Sequence, residues 1–191
     1  MRWMGLIYWQ AWREKNKKLK SKNKKWEYTM KHIISALVEN KPGVLAHVAG
    51  MFAARAFNID SLVVGRTEDP DLSRMTIVVI GDDKVVEQVR KQLAKIVPVV
   101  KVQDFVGQPV VARDLMLISI SAPPEKRSEI FTLIEMFKGH VVDIGQKFVM
   151  VEISGPEAKV DAFIEMCRPY GIKNLARTGT IAMARNSKVE A

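Results

Sequence analysis

The sequence predicts an α+β protein built from two consecutive ferredoxin-like βαββαβ modules. Strand-type and helix-type apolar periods alternate regularly from residue 31 onward, the same element order occurs twice, and a short stretch with Gly107 and Pro109 separates the copies. A chain of 191 residues suits two compact domains, and 48% hydrophobic residues supply apolar material for both cores. The boundaries that follow are an extension at 1–29, a first domain at 30–106 and a second at 113–186.

Residues 32–38 (HIISALV) read as a strand, which Asn40-Lys41-Pro42-Gly43 breaks. Val44, Val48, Met51 and Phe52 then recur at helical spacing. Strands follow at about 58–66 and 73–80, joined by the turn cluster Thr67-Glu68-Asp69-Pro70-Asp71. Gly81-Asp82-Asp83 starts a second helix with Asp82 as its N-cap, and Val85, Val89, Leu93 and Ile96 along one face. Pro98 ends it, and 99–105 reads as the fourth strand. The second copy has a strand at 114–121, then a helix opened by Pro123-Pro124-Glu125 whose Ile130, Ile134 and Phe137 share a face. Strands at about 140–145 and 147–154 come next. Gly155-Pro156-Glu157 starts the last helix, with Val160, Phe163, Ile164 and Cys167 at i, i+3, i+4, i+7. A final strand is expected near 172–184.

Each module would be an antiparallel sheet with both helices on one face. The strands are apolar on both faces, as in Ile77-Val78-Val79-Ile80. The outer face therefore asks for cover from another module, most simply in a homodimer.

The formal charge of +9 sits mainly in residues 1–29, where nine basic residues oppose only Glu14 and Glu27. The remainder carries +2. Residues 1–12 are aromatic and apolar and a lysine run follows. This order is the reverse of a secretory signal, and no apolar run is long enough to span a bilayer. Met30 opens a clean strand pattern, so the extension is expected to be disordered or not native. Cys167 is the single cysteine, which rules out an internal disulfide and suits a reducing, cytoplasmic location.

Catalytic chemistry finds little support. His32, His47 and His140 share no metal spacing with one another or with Cys167, and Cys167 falls on a buried stripe. Phosphate-loop, nucleophile-elbow and dinucleotide fingerprints are missing. RNA-binding domains share βαββαβ but stack bases on aromatics in the central strands. Here those strands read Arg74-Met75-Thr76-Ile77-Val78-Val79-Ile80, without one aromatic residue.

Asn40-Lys41-Pro42-Gly43-Val44-Leu45, ahead of the first helix, is the best candidate for a binding site. A helix N-terminus offers free N–H groups and partial positive charge to a carboxylate. Gly43 permits close approach to the backbone, Pro42 stiffens the entry, and Asn40 offers both donor and acceptor. Val44 and Leu45 would form an apolar wall. Read without other support, the same residues also make an ordinary tight turn with a helix cap.

The segment MKHIISALVENKPGVLAHVAGMFAARAFNIDSLVVGRTEDPDLSRMTIVVIGDD resembles the ACT domain of the small, regulatory subunits of acetolactate synthase (acetohydroxyacid synthase). Asn58 through Leu62 and Asp71 through Thr76 are its most characteristic runs. RDLMLISI, FKGHVVDIG, KVDAFIE and ARTGTIAM in the second half resemble the same family. The resemblance covers residues 30–186 and implies an ACT domain followed by a C-terminal ferredoxin-like domain, in a homodimer. It also implies binding of valine or a related branched-chain amino acid, feedback inhibition, and enhancement of a catalytic large subunit. That partner would carry thiamine diphosphate, magnesium and FAD, with no cofactor, metal or catalytic residue on this chain. Asn40 and Gly43 match the effector loop, with Val44 and Leu45 beside it. Asn58 and Ile59 match positions contributed by the other protomer. A free-standing amino-acid sensor acting through its basic tail is the alternative from another class.

Overall fold

The computed structural model describes residues 30–185. The extension at 1–29, expected to be disordered or not native, lies outside them. The first module runs β1 (Met30–Glu39), α1 (Val44–Ala54), β2 (Ile59–Arg66), β3 (Leu72–Gly81), α2 (Asp83–Leu93) and β4 (Val99–Asp104). The second runs β5 (Val110–Ser121), a 3-10 turn (Pro124–Lys126), α3 (Arg127–Met136), β6 (His140–Ile144), β7 (Phe148–Gly155), α4 (Glu157–Cys167), β8 (Ile172–Arg177) and β9 (Ile181–Ala184).

The first sheet is antiparallel in the order β2-β3-β1-β4, with β2 and β4 at its edges. Strand alternation splits β1 cleanly: Ile34, Ala36 and Val38 enter the core, while Lys31, Ile33 and Ser35 face away. The core is completed by Met75, Ile77 and Val79 of β3, by Val44, Val48, Met51 and Phe52 of α1, and by Val86, Val89 and Leu93 of α2. Asp82 caps α2 as its spacing predicts, accepting from the Val85 amide at 2.9 Å. Val86 rather than Val85 is the fully enclosed residue of that turn, Val85 being half-buried.

The second sheet repeats the order as β6-β7-β5-β8. Met116, Ile118 and Ile120 of β5 and Val149, Val151 and Ile153 of β7 meet Ile130, Leu133 and Ile134 of α3 and Val160, Phe163 and Cys167 of α4. Burial pushes the Cys167 thiol up to about 12. Its place on the apolar stripe follows from the helical spacing.

Two element boundaries differ from expectation for one physical reason. The strand expected at 114–121 begins at Val110, inside the stretch expected as linker, and the strand expected at 172–184 is two strands. Residues 110–113 pair with β9, Val110 opposite Ala184 and Arg113 opposite Ile181. Gly179, at φ +87°, breaks β8 from β9 and lies against Ser61 and Val63 of β2. The third difference is the opening of α3, where Pro124 leads a 3-10 turn before the α-helix begins at Arg127.

The outer face of the first sheet is covered in part within the chain itself. Ser35, Thr76 and Val78 point away from the helices yet are buried, and Ala182 of β9 and Thr180 are buried beside them. The Thr180 amide donates to Ser61 Oγ at 3.2 Å. The sequence-based reason for a homodimer was an outer face in need of cover, and the second module supplies part of that cover.

Candidate functional site

The β1–α1 loop is held from two sides. The Asn40 amide donates to the Asp71 carbonyl at 2.7 Å, and Asn40 Nδ2 donates to the Pro70 carbonyl at 2.9 Å. That β2–β3 turn is itself stiffened: Thr67 Oγ1 donates to the Asp69 carbonyl at 3.0 Å and the Asp71 amide donates to Asp69 Oδ1 at 2.9 Å. With Nδ2 committed to Pro70, the Oδ1 acceptor of Asn40 remains for a ligand donor.

Gly43 is the N-cap of α1 at φ +85°, ψ −14°, a left-handed conformation that makes glycine the natural residue. It supplies no side-chain cap, and the first turn of α1 has no acidic residue. The Val44 amide reaches the Lys41 carbonyl at 3.4 Å, and the amides of Leu45 and Ala46 have no side-chain acceptor among the described residues. A Cβ built on Gly43 meets nothing within 4 Å, so the helix start opens to solvent. Helix starts of this kind suit a carboxylate on general grounds.

The two residues expected as an apolar wall behave differently. Val44 is 5% exposed and belongs to the core, where it supports the loop from beneath. Leu45 is 46% exposed and faces outward. Asn58 is exposed and Ile59 half-buried at the start of β2.

Within one chain these residues do not form one site. Ile59 lies in register with Val79 and hence His32, whereas Asn40 follows Glu39, which is opposite Leu72. Seven residues of β1 separate the two levels, or about 23 Å at roughly 3.3 Å per residue. Asn40 and Gly43 stand at one end of the first sheet, and Asn58 and Ile59 at the other.

Sequence reading did not single out a polar cleft of about 370 Å³ between the modules. Lys31 Nζ bonds Asp60 Oδ2 at 2.9 Å and Glu157 Oε1 at 2.6 Å, joining β1, β2 and the first turn of α4. The hydrogen bond to Glu157, then that to Asp60, raises the Lys31 ammonium above its ordinary value. Across the cleft, Asp114 is 2% exposed and binds Arg177 through Nε at 2.8 Å and through Nη2, while Arg177 Nη1 reaches Asp161 at 2.8 Å. Desolvation, the largest single influence, lowers the Arg177 guanidinium, but the hydrogen bonds and charges of Asp114 and Asp161 together outweigh it and the net shift is upward. The one sequence signal for this pair was Asp114 in alternation with the core-facing Met116, Ile118 and Ile120 of β5.

Comparison with known proteins places both halves. A family model described as an AHAS small subunit-like ACT domain matches residues 34–101, and one described as the small subunit of acetolactate synthase matches residues 113–186. A chain from Archaeoglobus fulgidus named "Probable acetolactate synthase small subunit" is 57% identical over 159 residues, 83% of this chain and 99% of that one. The acetolactate synthase small subunit of Bacillus subtilis is 44% identical over 163 residues, covering 85% and 95%. The crystal structure of the acetolactate synthase small subunit from Thermotoga maritima superposes with a TM-score of 0.77 at 44% identity, covering 82% and 98%.

Proposed function

The chain belongs to the small subunits of acetolactate synthase, and on that premise we propose that it binds valine or a related branched-chain amino acid between two copies, and confers feedback inhibition on the catalytic subunit. The observation that carries this reading is the division of the candidate residues between opposite ends of one sheet, with β2 at the free edge between them. A two-fold axis through that edge runs β2 antiparallel to its copy. The copy's Asn58 and Ile59 then come to the Arg66 end of β2, the end at which Asn40 and Gly43 stand. One chain supplies the helix N-terminus and the other the opposing polar and apolar groups.

In such a site the effector carboxylate meets the first-turn amides of α1, and its ammonium meets Oδ1 of Asn40 and of the copy's Asn58. Leu45 and Ile59 enclose the side chain. The catalytic subunit, with its thiamine diphosphate, magnesium and FAD, performs the reaction, and this chain raises or lowers its activity. Asp60 follows Ile59 directly and holds Lys31, which holds Glu157 of the second module. A shift of β2 on effector binding is thereby felt at α4. Coupling of about 1–3 kcal/mol suffices for feedback control, and it acts only if the partner distinguishes the two geometries.

Reconstitution tests the proposal. Adding the purified chain to the catalytic subunit is expected to raise acetolactate formation, and valine to lower it again, with alanine much weaker. An activity unmoved both by the chain and by valine would overturn it.

A further inference from the structure

We propose that an arginine-rimmed apolar groove between the first sheet's outer face and the β5–β9 ribbon docks an acidic, apolar-interleaved segment of the catalytic subunit. This rests on the regulatory reading above and adds the surface and the chemistry of contact.

The groove has a volume of about 800 Å³. Arg66, Arg74, Arg113 and Arg185 line it against a single acidic residue, Glu68. The body of the chain, residues 30–191, carries only +2, so this is a concentration of charge rather than a sample of it. Among the described residues none of the four guanidinium groups lies within 4.0 Å of a carboxylate. Arg74 donates to Ser35 Oγ and Arg113 to its neighbouring carbonyl of Ala112, both neutral acceptors. Guanidinium forks in this state suit carboxylates, with which they form bidentate, charge-assisted bonds.

The wall is apolar. Ile181 and Met183 are 53% and 69% exposed. By strand register they share a face with Arg113 and Val111, and alternation along β5 continues that face to the exposed Leu115 and Leu117. An apolar strip rimmed by arginine has the composition of a protein interface.

Charge decides the occupant. The chain's own residues 1–29 carry nine basic residues against two acidic ones and would be repelled. Residues 186–191 (NSKVEA) carry one lysine and one glutamate and offer the groove no excess of acidic charge. A second copy seated groove on groove would bring its own four arginines against these. An acidic segment of the partner has neither problem.

The test is titration of the full chain with the intact catalytic subunit between 50 and 300 mM NaCl, without effector. The double variant Arg113→Glu/Arg185→Glu, away from the β2 edge, is expected to weaken association at least tenfold at the lowest salt and to flatten its salt dependence. Ile181→Asp/Met183→Asp is expected to weaken it at every salt. The control Lys84→Glu/Lys95→Glu, at exposed positions in and just after α2, is expected to match the wild-type chain. Melting temperatures check that all three variants fold. Wild-type binding by both groove variants would overturn the groove while leaving the regulatory reading intact. A changed oligomeric state of the groove variants would assign the groove to a second copy and equally overturn it. Failure of the wild-type chain itself to associate would remove the regulatory reading and this inference together.

Discussion

Gly43 has two properties that separate in a mutant. Its positive φ excludes most side chains, but aspartate tolerates the left-handed region and is a good N-cap. Gly43→Asp should therefore leave the melting temperature within a few degrees. Its carboxylate would occupy the place proposed for the effector's, so valine affinity should fall by more than tenfold, as calorimetric titration would read. Asn58→Ala, at an exposed position outside the core, should weaken valine binding without loss of stability. Equal affinity in both variants would contradict the site. The place of Gly43 at the start of α1 was legible because an Asn-x-Pro-Gly run before a helical stripe has a mechanism. The bracing of Asn40 by Pro70 was not legible, since it joins residues thirty positions apart. Val44 lies on the core stripe of α1, so it supports the loop from beneath while Leu45 faces outward.

Cys167 makes a prediction of its own. With its thiol at about 12, the folded chain should resist alkylation at pH 8 and react only when unfolded. The raised value also makes the folded state bind the proton more tightly than the unfolded one. Stability should thus be intact below the ordinary value of 9.0 and decline as pH rises from there toward 12, by at most about 1.4 kcal/mol per pH unit. Denaturant melts at pH 7 and pH 10 would show it.

At the scale of elements, periodicity predicted nearly every strand and helix, because each buries one face and leaves the other to solvent or to a neighbour. It failed at β5 and β9, where the partner is far along the chain. Residues 110–113 read as linker until β9 pairs with them. Gly179 within an expected strand was the available signal of a break. Its contact with β2 gives a test: Gly179→Ala forces a Cβ onto Ser61 and a non-glycine residue into φ +87°. A loss of about 1–3 kcal/mol is expected in chemical denaturation, with the largest chemical-shift changes in β2. Asp114→Ala should be as costly, because it leaves Arg177 in the cleft without its buried partner.

At the scale of the molecule, the repeated element order was legible in the sequence and the way the modules meet was not. Their contact depends on side chains of opposite charge brought together from β1, β2 and α4. Lys31 is 45% exposed, so Lys31→Met should cost under about 1 kcal/mol. Its raised value means that this contribution is present below 10.5 and is lost as pH rises past it. A larger effect is expected on regulation, as reduced valine inhibition of the reconstituted enzyme at nearly unchanged valine binding.

The central claim is that each effector site is built from two chains, and mixing variants tests it most directly. Gly43→Asp disables one half-site and Asn58→Ala the other, so each homodimer should bind valine poorly. Unfolded together and refolded as a mixture, the two variants would form mixed dimers in which one site has both halves intact and the other has neither. Calorimetry of isolated mixed dimers should then recover wild-type valine affinity at one site per dimer. No recovery, in dimers shown to contain both chains, would mean that the site does not lie between two copies.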